Sequence, residues 1–231
     1  MATISILYDN RAGAGLWPGW GFSARLCVKQ EVVLFDTGAD KLVFEHNAQA
    51  LDFRLRSVTA LALSHEHCDH IGAVSAVLHK GLHLYVPVAF AKRFAGERRH
   101  EIGLTGVRGP TQIVAGVQSI GQFGRKIPEQ ALVVDGEEGP SLITGCAHEG
   151  IVNVVRLAME AAQRPLDLVL GGFHLYRAEE ADVRRTANEL LGLSVKRIAP
   201  CHCTGDAAIR ILRDVFGSGF LDIAAGSRID V

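Results

Sequence analysis

The first part of the chain alternates short β-branched runs with segments of helical periodicity. The strands predicted there are 3–9, 23–29, 31–36, 58–64 and 82–87, and the helices are 40–51, 70–80 and 88–96. Strands that alternate with helices are typical of α/β proteins, in which each sheet buries one face under helices.

Residues 111–145 interrupt this alternation. Three β-branched runs follow one another there without a helix between them, which predicts a meander and hence a second sheet. The alternation then resumes, with helices predicted at 151–162, 178–193 and 205–217 and strands at 166–172, 195–202 and near 227–231. Two mixed sheets packed face to face with helices outside would bury the apolar faces, and the absence of a linker predicts one domain over 1–231.

The charge balance argues against two classes of partner, and the cysteine count indicates the state of the thiols. Lys and Arg total 24 against 25 Asp and Glu, so no overall field attracts nucleic acid or an anionic membrane. No apolar run approaches the roughly 20 residues that span a bilayer, and we expect a cytoplasmic protein. The number of cysteines, 5, is odd, and four of them lie beside histidines, which favours reduced thiols over disulfides.

The segment "SHEHCDH" (64–70) carries the strongest chemical signal. His65 and His67 are two apart where a strand ends, so their side chains can point the same way and chelate a metal. Asp69 and His70 lie at the turn into the next helix and can face the same cleft. Imidazole and carboxylate groups are the ligands that zinc and its neighbours take, so two adjacent metal ions are predicted.

This segment resembles the signature of the metallo-β-lactamase superfamily, a large group composed mostly of metal-dependent hydrolases. The resemblance implies an α/β fold of the αββα type, a four-layer sandwich. It also implies that Asp36 in "LFDTG" hydrogen-bonds the metal-binding loop rather than the metal. The motifs "WGFS", "TGCAHEGIVN", "GGFHL" and "PCHCTG" are similar to a narrower branch, which includes synthases of the methanopterin pathway.

The remaining ligands depart from the superfamily pattern. Members usually supply a third histidine from mid-chain, but none lies between His100 and His148. The resemblance therefore implies that His148 completes the first site with His65 and His67. Cys146 stands where a bridging Asp is usual, and it either supplies a thiolate or leaves the bridge to water.

The segment "PCHCTG" matches the position of the last superfamily ligand. The resemblance assigns this role to His202, in a second site with Asp69 and His70. In an extended segment His202 would point opposite to Cys201 and Cys203, so we do not expect these three residues to bind one metal.

Three further residues are candidates for contact with substrate. His174 follows Gly171 and Gly172 at a strand end, where it can act as a general acid or bind metal. Arg98 and Arg99 lie in the basic run "KRFAGERRHEIG" and can bind a substrate phosphate, although such runs are more often solvated helix ends.

These residues, together with the resemblance, imply a metal-dependent hydrolase of a small-molecule substrate. Two divalent ions, with zinc favoured over manganese or iron, would activate a hydroxide that attacks an ester, phosphoester or related bond, with Asp69 and His174 as catalytic residues. The alternatives are a synthase that condenses a pterin diphosphate, a di-iron redox protein and a non-catalytic metal-binding protein. We expect neither a nucleic acid nor a membrane as partner.

Overall fold

The strands and helices are taken from the computed structural model, which describes residues 2–231 apart from the side chain of Arg98. Its strands are, in chain order, β1 (Ala2–Tyr8), β2 (Ser23–Val28), β3 (Glu31–Phe35), β4 (Ala60–Ala62), β5 (His83–Pro87), β6 (Gly103–Val107), β7 (Thr111–Val114), β8 (Val117–Ser119), β9 (Leu132–Val134), β10 (Ser141–Thr144), β11 (Leu168–Gly172), β12 (Arg197–Cys201) and β13 (Arg228–Asp230). Its α-helices are α1 (Lys41–Ala50), α2 (Cys68–Ile71), α3 (Ile151–Ala162), α4 (Glu180–Gly192) and α5 (Asp206–Phe216).

Within the described residues the strands form two mixed sheets. The first has the order β13-β1-β2-β3-β4-β5-β6, and its strands from β3 to β6 are parallel. The second has the order β12-β11-β10-β9-β8-β7, with β10, β11 and β12 parallel. Parallel neighbours end at the same sheet edge, so the loops after β3 and β4 lie together, as do the loops after β10, β11 and β12.

Three apolar clusters separate four layers. One lies between the sheets and contains Ile4 and Phe35 from the first and Leu132 and Ile143 from the second. Another covers the outer face of the second sheet with α3, α4 and α5, and the third packs α1 on the outer face of the first. The predicted αββα sandwich is confirmed. The assignment of residues 1–231 to a single domain stays a prediction.

Local sequence explains where the helices lie. Helix α3 buries Ile151, Val154, Val155 and Ala158, whose spacing of three and four residues makes one apolar stripe. At the start of α1, the Asp40 side chain accepts hydrogen bonds from the first free backbone N–H groups. No helix in residues 2–231 is long and apolar enough to cross a membrane.

The helix predicted at 70–80 is wrong in length. Helix α2 is a single turn, and a 3-10 turn at Val74–Ala76 follows it. The Gly72 N–H donates to Gly38 O at 2.9 Å instead of bonding within the helix, so the chain is tied to the neighbouring loop. This tie keeps the segment that carries Asp69 and His70 short and fixed.

The segment after β5 also differs from the prediction. The helix expected at 88–96 is a 3-10 segment, Ala91–His100, and the strand β6 was not predicted. Strand β6 contains two glycines, which weaken a strand pattern. A Cβ at Gly103 would lie 2.5 Å from the His83 ring, so close packing against β5 explains this glycine.

Candidate metal centre

Loops from both sheets place histidine, aspartate and cysteine side chains at one end of the molecule. The segment 64–70 follows β4, while Cys146, His174 and His202 follow β10, β11 and β12. The carboxyl ends of parallel strands are where open α/β sheets usually bind ligands. The sequence-predicted residues of this region are thus brought together by strands that are far apart in the chain.

His65, His67 and His148 form the first ligand group. Their ligand nitrogens lie within 4.8 Å of one another, and His65 Nε2 is 3.0 Å from His67 Nδ1. His148 Nδ1 lies 2.7 Å from Glu129 Oε1, which leaves its Nε2 available for a metal ion. This group matches the first site expected from the sequence.

Asp69, His70 and His202 form the second ligand group, again with ligand atoms within 4.8 Å. His70 Nε2 and His202 Nε2 are 3.2 Å apart. Asp69 Oδ2 lies 3.3 Å from His202 Nε2 and 3.7 Å from His70 Nε2. The three atoms therefore face one point, although His202 comes from a different loop and a different sheet.

Cys146 lies between the two groups. Its Sγ is 3.2 Å from His70 Nε2, and it is within 4.8 Å of ligand atoms of His65 as well as of His148 and His202. The thiol is buried, like its neighbours His65 and His70. Cys146 stands where the sequence analysis expected a residue that bridges two metal ions, and its sulfur is within reach of both groups.

Asp36 ties the metal-binding loop to the end of β3. Its Oδ1 accepts from Ser64 N at 2.6 Å, while Oδ2 accepts from Ser64 Oγ at 2.6 Å and lies 2.7 Å from His70 Nδ1. Because a carboxylate only accepts, Nδ1 of His70 carries the proton and Nε2 faces the second group. Both oxygens of Asp36 are thus engaged by Ser64 and His70, and the carboxylate fixes the orientation of the His70 ring.

The electrostatic environment differs between the histidines. Burial lowers the pKa of His65 well below its ordinary value, and the neighbouring His70 and His148 rings add to this effect. Burial also acts to lower the pKa of His70, but the Asp36 carboxylate outweighs it and the pKa is raised. Burial would raise the pKa of Asp69, yet the hydrogen bond with His202 and the nearby His70 hold it well below its usual range.

His174 lies at the open side of the first group. Its ring is exposed, and its centroid is 4.5 Å from that of His148 and 5.4 Å from that of Tyr176. A hydrogen bond with Cys203 raises its pKa, against the opposing effect of burial. Its ligand atom also groups with those of Cys146 and His148, so both a metal-binding and an acid role are geometrically open.

The extended conformation expected at 201–203 is confirmed for Cys201, the last residue of β12, and is wrong for His202 and Cys203. His202 has φ +50° and begins a 3-10 turn, His202–Thr204, which redirects the chain after β12. As a result, Cys203 Sγ and His202 lie within 4.8 Å of each other and of Cys146, whereas Cys201 packs between the sheets. Sequence reasoning missed Cys203, because a left-handed histidine gives no signal in the sequence.

Three polar residues that hydrogen-bond these histidines were also missed, of which Glu129 and Asp9 are buried and Asn10 is partly buried. Glu129 accepts from His148 N at 2.8 Å, Asp9 accepts from His202 N at 2.9 Å, and Asn10 Oδ1 lies 3.1 Å from His202 Nδ1. Asp9 and Asn10 directly follow β1, and a polar pair at a strand end is the one signal that could have identified them. Glu129 lies in an irregular segment without any such signal.

The family of the chain follows from comparison with known proteins. A family model described as the metallo-beta-lactamase superfamily matches residues 22–202. The chain belongs to the metallo-β-lactamase superfamily.

Relatives within the superfamily cover nearly the whole chain. A 7,8-dihydropterin-6-methyl-4-(beta-D-ribofuranosyl)-aminobenzene-5'-phosphate synthase of Methanocaldococcus jannaschii is 26% identical and covers 98% of this chain and 95% of its own. An uncharacterised protein of the same organism, MJ0448, is 26% identical over 89% of this chain and 92% of its own. The crystal structure of Tm1679, described as a metal-dependent hydrolase of the beta-lactamase superfamily, has a TM-score of 0.83 at 25% identity, with 100% of this chain and 99% of that chain covered.

The donors fit the divalent metal ions that the superfamily generally binds. Nδ1 of His70 faces Asp36 and Nδ1 of His202 faces Asn10, so the lone pairs of their Nε2 atoms point at each other across 3.2 Å. Such a contact is repulsive unless a cation or a proton lies between them. Glu129 Oε2 is buried without a hydrogen-bond partner, and a nearby cation would offset its charge.

Among the described contacts of Arg99, none is with a residue of the candidate metal centre. Its largely exposed guanidinium pairs with Glu97 at 3.8 Å, and within the described residues its hydrogen bond is to His100. The side chain of Arg98 lies outside the described residues. A different arginine, Arg93, lies 3.8 Å from Glu66 in the metal-binding loop.

Proposed function

We propose that the protein is a metal-dependent hydrolase whose reaction takes place at a dinuclear centre. His65, His67 and His148 would hold one divalent ion, and Asp69, His70 and His202 would hold the other, with zinc favoured over manganese or iron. The observation that carries the proposal is the position of Cys146 Sγ, within reach of ligand atoms from both groups. A thiolate there can bridge two ions or bind one of them.

Side-chain acceptors orient three of the histidines for this role, two of them buried and the third, Asn10, partly buried. Asp36 Oδ2 holds the Nδ1 proton of His70, Glu129 Oε1 holds that of His148, and Asn10 Oδ1 holds that of His202. Each ring therefore presents Nε2 toward the centre. Such supporting hydrogen bonds fix the orientation and the tautomer of a metal-binding histidine.

The chain supplies two further groups for hydrolysis. Two bound ions would lower the pKa of a water molecule and polarise the electrophilic oxygen of an ester, phosphoester or lactone. Asp69 is ionised at neutral pH, because its pKa is held low, and can orient the attacking water as a hydrogen-bond acceptor. His174 has a raised pKa and an exposed ring, so it can donate a proton to the leaving oxygen.

A small-molecule substrate fits the open side of the centre. Trp20 is about half exposed, and its ring centroid lies 5.1 Å from that of His202. Tyr176 is similarly exposed beside His174. The two rings stand next to residues of the ligand groups and can pack against an apolar or planar part of the substrate. Binding of a substrate phosphate by Arg98 and Arg99 stays a prediction. A cytoplasmic location also stays a prediction.

A condensing synthase is the second candidate. The specific observation in its favour is the similarity of this chain, over 98% of its length, to the dihydropterin synthase of Methanocaldococcus jannaschii. Ions held by the same ligand groups would bind the diphosphate leaving group while an amine attacks the pterin carbon. Both reactions need the metal centre, but they differ in the product.

The deciding experiment combines metal analysis with an assay of hydrolysis and an assay of condensation. We expect about two divalent ions per chain, and we expect turnover of a carboxylic ester, a phosphodiester or a lactone from a substrate panel. His67→Ala and Asp69→Ala should each lower metal content and turnover together. His79→Ala is the matched control, because His79 bonds to Val58 O away from the centre and both quantities should be retained.

Three results would redirect the proposal. Condensation of a pterin diphosphate with an aminobenzene ribose phosphate, without hydrolysis of the panel, would establish the synthase. Bound iron with visible absorption and electron transfer would establish a redox protein. Full metal content in both His67→Ala and Asp69→Ala would contradict the ligand assignment itself.

A further inference from the structure

Two cysteines meet at the base of the metal centre. Cys146 and Cys203 are 3% and 2% exposed, and their sulfur atoms lie within 4.8 Å of each other. Cys203 Sγ is also 3.7 Å from Cys146 O, so this thiol packs directly against the backbone of the other cysteine. The two residues come from different loops, separated by 57 positions in the chain.

A glycine makes this contact possible. Cys146 follows β10 and Cys203 follows β12, and the strand between them, β11, ends at Gly172. A Cβ at Gly172 would lie 2.5 Å from Cys203 Sγ and 3.4 Å from Cys146 Cα. Any side chain on this residue would therefore occupy the space through which Cys203 reaches Cys146.

The third cysteine of the region does not take part. Cys201 lies two positions before Cys203, but it belongs to the apolar cluster between the sheets. The positive φ of His202 turns the chain between them, so that the two side chains lie in different environments. The fold thus selects one pair of thiols from three neighbours.

We propose that Cys146 and Cys203 form a redox-active dithiol that a hydroperoxide converts to a disulfide in the metal-free protein. One thiolate attacks the peroxide oxygen, which gives a sulfenic acid and releases water or an alcohol. The second sulfur then attacks the sulfenic sulfur and releases water, so that one S–S bond replaces two S–H bonds. The dithiol loses two electrons and two protons, and both electrons reduce the O–O bond of the hydroperoxide.

Both the access of a peroxide to Cys146 and the distance that the two sulfurs must move are consistent with this reaction. The ligand atom of the exposed His174 lies within 4.8 Å of Cys146 Sγ, so a molecule as small as hydrogen peroxide can approach from the open side. A disulfide requires the sulfurs to move to about 2.05 Å. Both cysteines lie beyond the paired residues of β10 and β12, so side-chain rotation with a small loop shift does not break the sheet.

The dithiol has a consequence for metal binding. If Cys146 is a ligand, as the proposed function has it, a disulfide removes its thiolate from the place between the two ligand groups. Metal binding and disulfide formation would then exclude each other. An oxidised protein would regain its metal only after a reductant had restored the thiols.

The test uses the full chain with Cys27→Ser and Cys68→Ser as background, since these two cysteines are partly or fully exposed. The chelator-treated protein is exposed to hydrogen peroxide and analysed by intact mass, by thiol titration after denaturation and by peptide mapping. We expect the loss of two hydrogens, a fall from three titratable thiols to one, and a link between the peptides of Cys146 and Cys203. Dithiothreitol should reverse all three changes.

Matched variants separate this pair from other oxidation. Cys146→Ser and Cys203→Ser should each abolish the loss of two hydrogens, whereas Cys201→Ser should retain it. Gly172→Ala keeps both thiols and should slow disulfide formation, because the added Cβ would lie 2.5 Å from Cys203 Sγ and displace it. Addition of oxygen atoms without a link, or a link that contains Cys201, would overturn the proposal.

A zinc-loaded sample distinguishes the dithiol from the proposed function. Slower disulfide formation with zinc than without it supports both the dithiol and Cys146 as a ligand. Equal rates, with the same peptide link, support the dithiol and contradict the ligand role of Cys146. Neither readout depends on turnover, so failure of the hydrolase assay leaves this result standing.

Discussion

Glu129 and His148 are joined twice through one carboxylate oxygen. Oε1 accepts a hydrogen bond from the His148 backbone N–H at 2.8 Å and lies 2.7 Å from Nδ1 of the same residue. The two contacts fix both the loop and the ring, so Nε2 faces His65 and His67. Because Glu129 is fully buried, its charge is little screened by water.

Replacing Glu129 with glutamine should weaken metal binding at the first ligand group. The Glu129→Gln variant would keep the size of the side chain but lose the charge that holds the Nδ1 proton, and loss of such a supporting group typically costs about 10–100-fold in metal affinity. Competition with a chromophoric chelator measures the effect. Glu149→Gln is the control, since Glu149 is exposed and its carboxylate accepts only from Arg125 N among the described contacts. Equal affinities in both variants would contradict the role of Glu129.

Replacing Asp36 with asparagine should affect both metal affinity and stability. Asp36 accepts from Ser64 N, Ser64 Oγ and His70 Nδ1, and an amide cannot satisfy all three donors. A buried donor left without a partner costs about 1–3 kcal/mol, so the free energy of unfolding in urea should fall by that amount. Asp52→Asn is the matched control, because Asp52 shares the positive φ of Asp36 but is exposed. An Asp36→Asn protein as stable as this control would refute the expectation.

The sequence was sufficient for the fold class and for the grouping of the histidines. The β-branched runs and the meander at 111–145 predicted two sheets, because strand periodicity is a local property of the sequence. The spacing of His65, His67, Asp69 and His70 predicted the metal-binding loop for the same reason. These features depend on neighbours in the chain, which a single sequence contains.

What could not be predicted depends on contacts between distant segments. Glu129 has no local pattern, and its role arises only because β10 brings His148 against the segment that precedes β9. Cys203 reaches Cys146 only because His202 adopts a positive φ and Gly172 leaves space. The length of α2 is set by a hydrogen bond from Gly72 to Gly38. None of these contacts is encoded by spacing along the chain.

Gly145→Ala should lower metal content without unfolding the protein. A Cβ at this position would lie 2.3 Å from Ser64 Oγ and 3.3 Å from Asp36 Oδ2, so the hydrogen bonds that hold the metal-binding loop must shift. Elemental analysis together with circular dichroism checks both parts of the prediction. Gly192→Ala is the comparison, because its Cβ would meet nothing within 4 Å. Gly192 is the last residue of α4, and removing a helical glycine stabilises by up to about 1 kcal/mol. Unchanged metal content in Gly145→Ala would show that the loop tolerates the shift.

The two ligand groups should lose metal at different pH values. A proton competes with metal for Nε2 of His70, and the raised pKa of His70 means that this proton is still bound above about 6.5, the ordinary value for histidine. The pKa values of His65 and His67 are shifted in the opposite direction, so these two ligands of the first group stay deprotonated further into the acid range. As pH falls, the group of Asp69, His70 and His202 should therefore release its ion first.

Zinc titrations from pH 8 to pH 5 compare the two groups directly. His67→Ala leaves the second group intact, and Asp69→Ala leaves the first. Parallel loss, or earlier loss in Asp69→Ala, would mean that the Asp36 carboxylate does not govern protonation of His70 when metal competes.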